Sequence, residues 1–141
     1  MKLEWREQLS VGNNVIDADH KYLIELINQI QVNLKAKNRE ELKKLLDDLS
    51  RYSLVHFDRE EKIAIAAGYD RASILHISHE ELIKQLDQVK AEINTLGQEW
   101  SAEVTTHFTQ FLHDWLINHV IKEDLLMRPY LKKFSASFDL H

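Results

Sequence analysis

The chain has 141 residues, no cysteine and a formal net charge of −5. This length fits one domain with a single core. The lack of cysteine excludes disulfides, thiolate metal sites and cysteine nucleophiles, and the negative charge argues against nucleic-acid binding. Three Gly and one Pro are too few for a chain of many tight turns, so long helices are favoured over a β-sandwich or barrel.

The N-terminal stretch lacks the apolar segment of a signal peptide. The longest unbroken apolar run, residues 63–67, is too short to span a membrane. We therefore expect a cytoplasmic protein without membrane association. We interpret residues 1–16 as an N-terminal arm, 17–134 as a helical domain and 135–141 as a tail.

The first predicted helix starts at Asp17, a candidate N-cap, and extends to about Lys37. Apolar residues recur along it at helical spacing. They are Leu23, Leu26, Ile27, Ile30 and Leu34. His20 lies three residues before Leu23 and therefore belongs to the same inward stripe.

The second predicted helix follows Asn38 and ends at Gly68, a typical C-terminal residue. Two seven-residue rows define its inward face. These are Leu42, Leu49, His56 and Ile63, with Leu46, Ser53, Glu60 and Ala67. The pattern thus assigns His56 and Glu60 to core positions.

The third predicted helix runs from Asp70 to Gly97, with Leu75 and His79 on its inward rows and His76 on the flank. The fourth runs from about Glu99 to Glu123, and its wide apolar face includes Trp115 and His119. Arg128–Pro129 then breaks or kinks the chain. Four similar helices with short links predict an all-α, up-down-up-down four-helix bundle.

Each predicted helix places a polar side chain on its core stripe, which is costly unless the group has a partner. The groups are His20, His56 with Glu60, His79 and His119. A single buried His is often only a hydrogen-bonded core residue. Convergence from four facing stripes indicates a metal site, and imidazole with carboxylate suits iron, manganese or zinc.

Asp124 is a further candidate, five residues after His119. On a straight helix that spacing is a rotation of about 140°, so the two residues would not share a face. Glu123 is the simple geometric choice. Asp124 needs a locally widened turn or a long side-chain reach.

An ordered set of short segments resembles the hemerythrins, specifically the bacterial hemerythrin-like domains, from Trp5 to about Tyr130. The segments are Trp5 with Val11-Gly12, Ile16–His20, His56–Glu60, Gly68-Tyr69, His79, Trp115–His119 and Asp124. The resemblance implies a four-helix bundle that binds two iron ions without heme. By the same resemblance, His20 and His56 bind one iron, and His79 and His119 bind the other.

The resemblance also implies that Glu60 and Asp124 bridge the irons, with an oxo or hydroxo group between them. The family spacing His-x-x-x-x-Asp is present at His119 and Asp124.

One ligand position departs from the family pattern. The first His of the family's third-helix pair lies six residues after the Tyr of Gly-Tyr, where this chain has Leu75. His76 is one residue later and about 100° round the helix. The ligand is therefore absent, or His76 rotates in as a metal ligand, or the site binds one metal or none.

An apolar pocket for a small ligand is predicted beside the metals, with ordinary core packing as the alternative. Its residues are Leu23, Ile27, Leu75 and Trp115. His107 and His113 are interpreted as packing or surface residues, and His141 as part of a disordered end.

The predicted function is O2 binding at the di-iron site, for transport, storage or redox sensing. An open position at Leu75 predicts faster autoxidation. The alternative is a di-iron oxidoreductase that acts on peroxide or NO, and azide-like anions are further candidate ligands. A signalling partner domain is expected if the chain is part of a longer protein.

Overall fold

The computed structural model describes residues 2–138, which form helices and turns without any strand. The four main helices are α1 (Asn14–Ala36), α2 (Arg39–Ala66), α3 (Ala72–Asn94) and α4 (Ala102–Asp114). A π-helix, Trp115–Ile121, continues α4 and leads into α5 (Lys122–Asp124), a 3-10 turn (Leu125–Met127) and α6 (Arg128–Leu131).

The helices pack in a ring, α1 on α2, α2 on α3 and α4 back on α1. This confirms the predicted all-α, up-down-up-down bundle. Within residues 2–138, none of the helices combines the length and the apolar character that crossing a bilayer would require.

Asparagine side chains begin the first two helices. Asn13 is extended and its side chain accepts the N–H groups of Val15 and Ile16, so the N-cap of α1 lies four residues before the predicted one. The prediction of Asp17 as N-cap was wrong. Asp17 instead accepts the N–H of Val11 and the hydroxyl of Ser10, which holds the arm against α1.

Gly68 ends α2 in the predicted way. Its φ of 77° lies in the left-handed region, which costs Gly little. The N–H of Tyr69 then donates to the carbonyl of Ala64 at 2.9 Å, a C-terminal closure that satisfies one of the last helical carbonyls.

The apolar core is divided into two clusters by a layer of buried polar side chains. The bundle has four helical columns, which are α1, α2, α3 and α4 with the segments that continue it. Each column has at least one buried polar residue between members of the two clusters. These are His20 between Ile16 and Leu23, Glu60 between Phe57 and Ile63, His79 between Leu75 and Leu82, and Asp124 between Ile121 and Met127. The fold therefore brings one polar position from every column to the same level of the bundle.

The two terminal segments pack against α1. Asn28 accepts the N–H of Leu3 at 2.8 Å and donates to its carbonyl at 2.9 Å. At the other end, the carbonyl of Ala136 accepts the N–H of Asn14. The predicted tail is therefore in contact with the bundle as far as residue 138, while His141 lies outside the described residues.

Candidate metal centre

Four of the predicted ligands converge in the polar layer. They are His20, His56, Glu60 and Asp124, and each offers one ligand atom within 4.8 Å of the others. All four are at most 1% exposed. Two carboxylates at this depth carry a large desolvation cost unless positive charge lies close to them.

The spacing of these atoms suits a metal ion. His20 Nε2 lies 2.7 Å from Asp124 Oδ2, and His56 Nε2 lies 3.0 Å from Glu60 Oε2. The two remaining imidazole–carboxylate distances, His20 to Glu60 and His56 to Asp124, are both 3.8 Å. Ligands at about 2.1 Å from one ion lie about 3–4 Å from each other. Three of the four distances fall in this range, and the 2.7 Å contact between His20 and Asp124 is a hydrogen bond that would lengthen to admit an ion.

Several buried polar atoms in the layer have no hydrogen-bond partner. They are His20 Nδ1, His56 Nε2, Glu60 Oε2 and Asp124 Oδ1. Buried polar atoms normally have hydrogen-bond partners, and a binding site for an ion is one accepted reason when they do not. His56 Nε2 and Glu60 Oε2 are only 3.0 Å apart and still form no hydrogen bond. The residues present therefore fit a bound cation.

Protons balance the charges of the layer when no metal is bound. Burial lowers the pKa of His56, but the negative charge of Glu60 and the nearby carboxylates of Asp124 and Asp19 raise it well above its usual value. Burial and the Glu60 charge raise the pKa of Asp124 to about 7. Burial raises the pKa of Glu60, but the positive charge of His56 and the nearby groups of Asp124 and His20 outweigh it and hold this pKa well below its usual range. A divalent cation would replace these protons.

Glu60 faces two sides of the layer. Its Oε2 is the oxygen close to His56, whereas its Oε1 lies 3.0 Å from Nε2 of His79. His79 is 4% exposed. Glu60 therefore links His79 to the buried cluster.

Asp19 orients His56, a role that the sequence analysis missed. His56 Nδ1 donates to Asp19 Oδ2 at 2.9 Å, which leaves Nε2 directed into the cluster. Asp19 also accepts from Tyr52 Oη and from the guanidinium of Arg59. Metal-binding imidazoles usually donate their other N–H to such an acceptor. That rule was the available signal, but the sequence alone does not show which histidine a nearby carboxylate contacts.

Glu61 plays the same part for His79, and it was also missed. Its Oε2 accepts from His79 Nδ1 at 2.8 Å, while its Oε1 accepts from His76 Nδ1 at 2.7 Å. The ring of Phe57 stacks on His79 at 3.9 Å. His76 is 58% exposed and is separated from the cluster by Glu61, so the structure does not bring it to the metal position.

His119 is exposed and does not join the cluster. Its predicted place on the inward stripe was wrong because the helix is widened over Trp115–Ile121. Buried residues in this column follow every four positions, at Leu112, Leu116, Val120 and Asp124. A π-helical turn contains more residues than an α-helical turn, so it shifts the inward face to later positions in the sequence. It brings Asp124 inward and leaves His119 one position off the stripe.

The four predicted pocket residues are all buried but do not form one group. Leu23, Ile27 and Trp115 lie in the larger apolar cluster, whereas Leu75 lies in the smaller one. Leu75 is 2% exposed, so an apolar side chain occupies the helix position that precedes His79 by one turn. His113 donates to Gln31, and His107 is exposed.

The fold and the site together define a helical bundle with a buried histidine–carboxylate cluster that can hold a metal ion. The sequence model of the Hemerythrin HHE cation binding domain matches residues 11–131. A bacteriohemerythrin from Stenotrophomonas maltophilia is 30% identical over 136 residues, 96% of this chain and 86% of that protein. One from Methylococcus capsulatus is 34% identical over 122 residues, 85% of this chain and 90% of that protein.

Solved structures agree with these matches. A crystal structure of wild-type hemerythrin superposes with a TM-score of 0.76 at 27% identity, covering 92% of this chain and 97% of that one. The chain belongs to the hemerythrin family, as the resemblance of its motifs implied.

Proposed function

We propose that this protein holds two iron ions in the polar layer and binds O2 there, as a carrier, a store or a redox sensor. The observation that carries the proposal is the two-sided position of Glu60, with one oxygen near His56 and the other near His79. A single-ion site would not need the second oxygen to face a further imidazole.

The two metal positions differ in their protein ligands. His20 and His56 supply two imidazoles to the first, and His79 supplies one to the second. Asp124 is the second bridging candidate, since its Oδ2 lies near His20 while its Oδ1 has no partner. Iron at these positions would supply the affinity for O2 and the electrons that O2 takes up.

The second position is short of imidazoles in this chain. Leu75 offers no ligand atom, and the family's other ligand, His119, is exposed. We propose that coordination sites left open there are available to small ligands. More open positions favour direct reaction with O2 over reversible binding, so we expect fast autoxidation.

The same observation favours a second candidate function, an oxidoreductase that acts on peroxide or NO. Open positions on a redox-active metal admit these small molecules, and the apolar clusters on both sides of the layer keep water away from them. In this reading the protein turns substrate over instead of releasing it unchanged.

The test is to load the full chain with Fe2+ without oxygen, measure iron per chain, and record the visible spectrum on exposure to air and after an argon purge. Two irons and a spectrum that returns on purging would support reversible O2 binding. Two irons with one-way oxidation, followed by turnover of peroxide or NO, would favour the oxidoreductase. Fewer than two irons would overturn the di-iron proposal.

A further inference from the structure

The side chains that would hold the metal ion are shielded from solvent by the rest of the bundle. His20, His56 and Glu60 are fully buried, and Asp124 is 1% exposed. A hydrated divalent ion cannot cross an apolar core, because it would lose its water without receiving other ligands. An ion that reaches this layer therefore needs a route along which protein ligands replace its water in steps.

A surface cavity of about 360 Å³ lies directly outside His79. Its lining contains His79 itself, which is also 3.0 Å from Glu60 of the buried cluster. The cavity further contains His76, Glu61 and Glu80. It therefore connects solvent with a side chain that touches the metal position.

Metal-ligating atoms form an unbroken series from this cavity inward. His76, which is 58% exposed, lies 2.7 Å from Glu61 Oε1. Glu61 Oε2 lies 2.8 Å from Nδ1 of His79, and Nε2 of His79 lies 3.0 Å from Glu60 Oε1. Neighbouring residues of the series are close enough for an ion to gain the next ligand before it leaves the previous one. The two nitrogens of His79 face different carboxylates, so passage from Glu61 to Glu60 requires the His79 ring to turn.

The charges of the cavity attract cations. Asp58, Glu61 and Glu80 line it, and Lys84 is the one lysine or arginine among its lining residues. Lys62 offsets part of this charge through its 2.9 Å ion pair with Asp58. Clefts with an excess of one sign raise the local concentration of opposite ions and their rate of association.

We propose that this cavity is the port through which a divalent metal ion enters the bundle, with His76 and Glu61 as its transient ligands. Glu61 is not a permanent ligand of the buried ion, because it faces Nδ1 of His79 while Nε2 faces Glu60. The proposal rests on the proposed metal centre, but it does not depend on what the loaded centre does with O2.

The test is the rate at which metal-free full-length protein takes up Co2+, followed by stopped-flow visible absorption. We expect His76→Ala and Glu80→Gln to slow uptake by up to about tenfold, with the final number of Co2+ per chain unchanged. Lys84→Gln should accelerate uptake, and this gain should shrink at high ionic strength. His107→Ala, which removes an exposed imidazole outside the cavity, is the matched control and should load at the unmodified rate.

A second measurement starts from the folded, Co2+-loaded protein and records release to excess chelator. Because entry and exit use the same path, His76→Ala should slow release as well. Unmodified uptake and release in His76→Ala and Glu80→Gln would overturn the port, as would equal slowing in His107→Ala. A lower final Co2+ content in His76→Ala would also overturn it, since His76 would then be a permanent ligand. If the variants change Co2+ uptake and release as expected but the iron-loaded protein does not bind O2, only the proposed function would be overturned.

Discussion

Asp124 and His119 lie five residues apart in one helical column, yet Asp124 is 1% exposed within the polar layer and His119 is exposed to solvent. The π-helix between Trp115 and Ile121 sets this relationship. A regular α-helix would bury different positions in this segment. The widened turn therefore determines which residues of the fourth column face the layer.

The first prediction follows from that arrangement. His79→Ala should remove the second iron, because His79 is the imidazole that faces Oε1 of Glu60. His119→Ala should keep the iron content of the unmodified protein, about two per chain, since the exposed side chain can be removed without opening the core. Iron per chain after anaerobic loading is the measurement. Equal iron loss in the two variants would mean that His119 turns inward when metal binds.

The second prediction concerns the acceptor behind His56. Asp19→Asn removes the carboxylate that fixes the His56 ring with Nε2 toward the cluster. Loss of such a partner typically costs about 10–100-fold in metal affinity. Competition with a chelator of known affinity measures the change.

Asp48→Asn is the matched control for Asp19→Asn, because Asp48 pairs only with Arg51 at the surface of the same bundle. Its metal affinity should equal that of the unmodified protein. An unchanged affinity in Asp19→Asn would show that packing alone holds the His56 ring.

The third prediction is the pH dependence of stability in the metal-free protein. The pKa of each of His20, His56 and His79 is raised, because carboxylate contacts outweigh burial, and the pKa of Asp124 is raised to about 7. The folded state then binds more protons than the unfolded state near neutral pH, so stability falls as pH rises through these values. The lowered pKa of Glu60 has the opposite effect on stability. The stabilisation that it provides is lost only as pH falls into the acid range.

Chemical denaturation of metal-free and iron-loaded protein between about pH 5 and 9 tests this difference. The metal-free protein should be most stable under mildly acidic conditions. The loaded protein should lose its iron and its extra stability as pH falls, because protons compete for the imidazoles. Parallel pH profiles for the two forms would contradict the prediction.

The fourth prediction restores the family's ligand. Leu75→His places an imidazole one turn before His79 at a position that is 2% exposed. Without metal it should destabilise the fold by about 2–5 kcal/mol, since it buries a polar ring in an apolar cluster. With iron, the added ligand should slow autoxidation and recover part of the lost stability.

Leu75→Met controls for the change of shape, and a similar-sized apolar replacement costs less than about 1.5 kcal/mol. It should not alter the autoxidation rate. The measurements are unfolding midpoints with and without iron and the rate of the spectral change in air. An autoxidation rate in Leu75→His equal to that in Leu75→Met would show that the new imidazole does not reach the iron.

The periodicity of the sequence predicts the fold and most of the candidate metal ligands. The helical stripes predicted the bundle, and they predicted His20, His56, Glu60 and His79 as core residues, because burial repeats with the helical turn. The motif resemblance added Asp124, which a straight helix would not have placed near the other ligands. These features depend on the spacing of residues along the chain, and a single sequence is enough to show that spacing.

Other features were decided only by the tertiary structure. The widened turn that exposes His119 depends on how the fourth column packs against the other helices. The partners Asp19 and Glu61 come from contacts between different helices, Asp19 with His56 and Glu61 with His76 and His79. A periodic pattern shows which face of a helix is buried, but not which side chains from two helices meet. Hydrogen bonds require that meeting within a few tenths of an ångström, and only the packed bundle defines it.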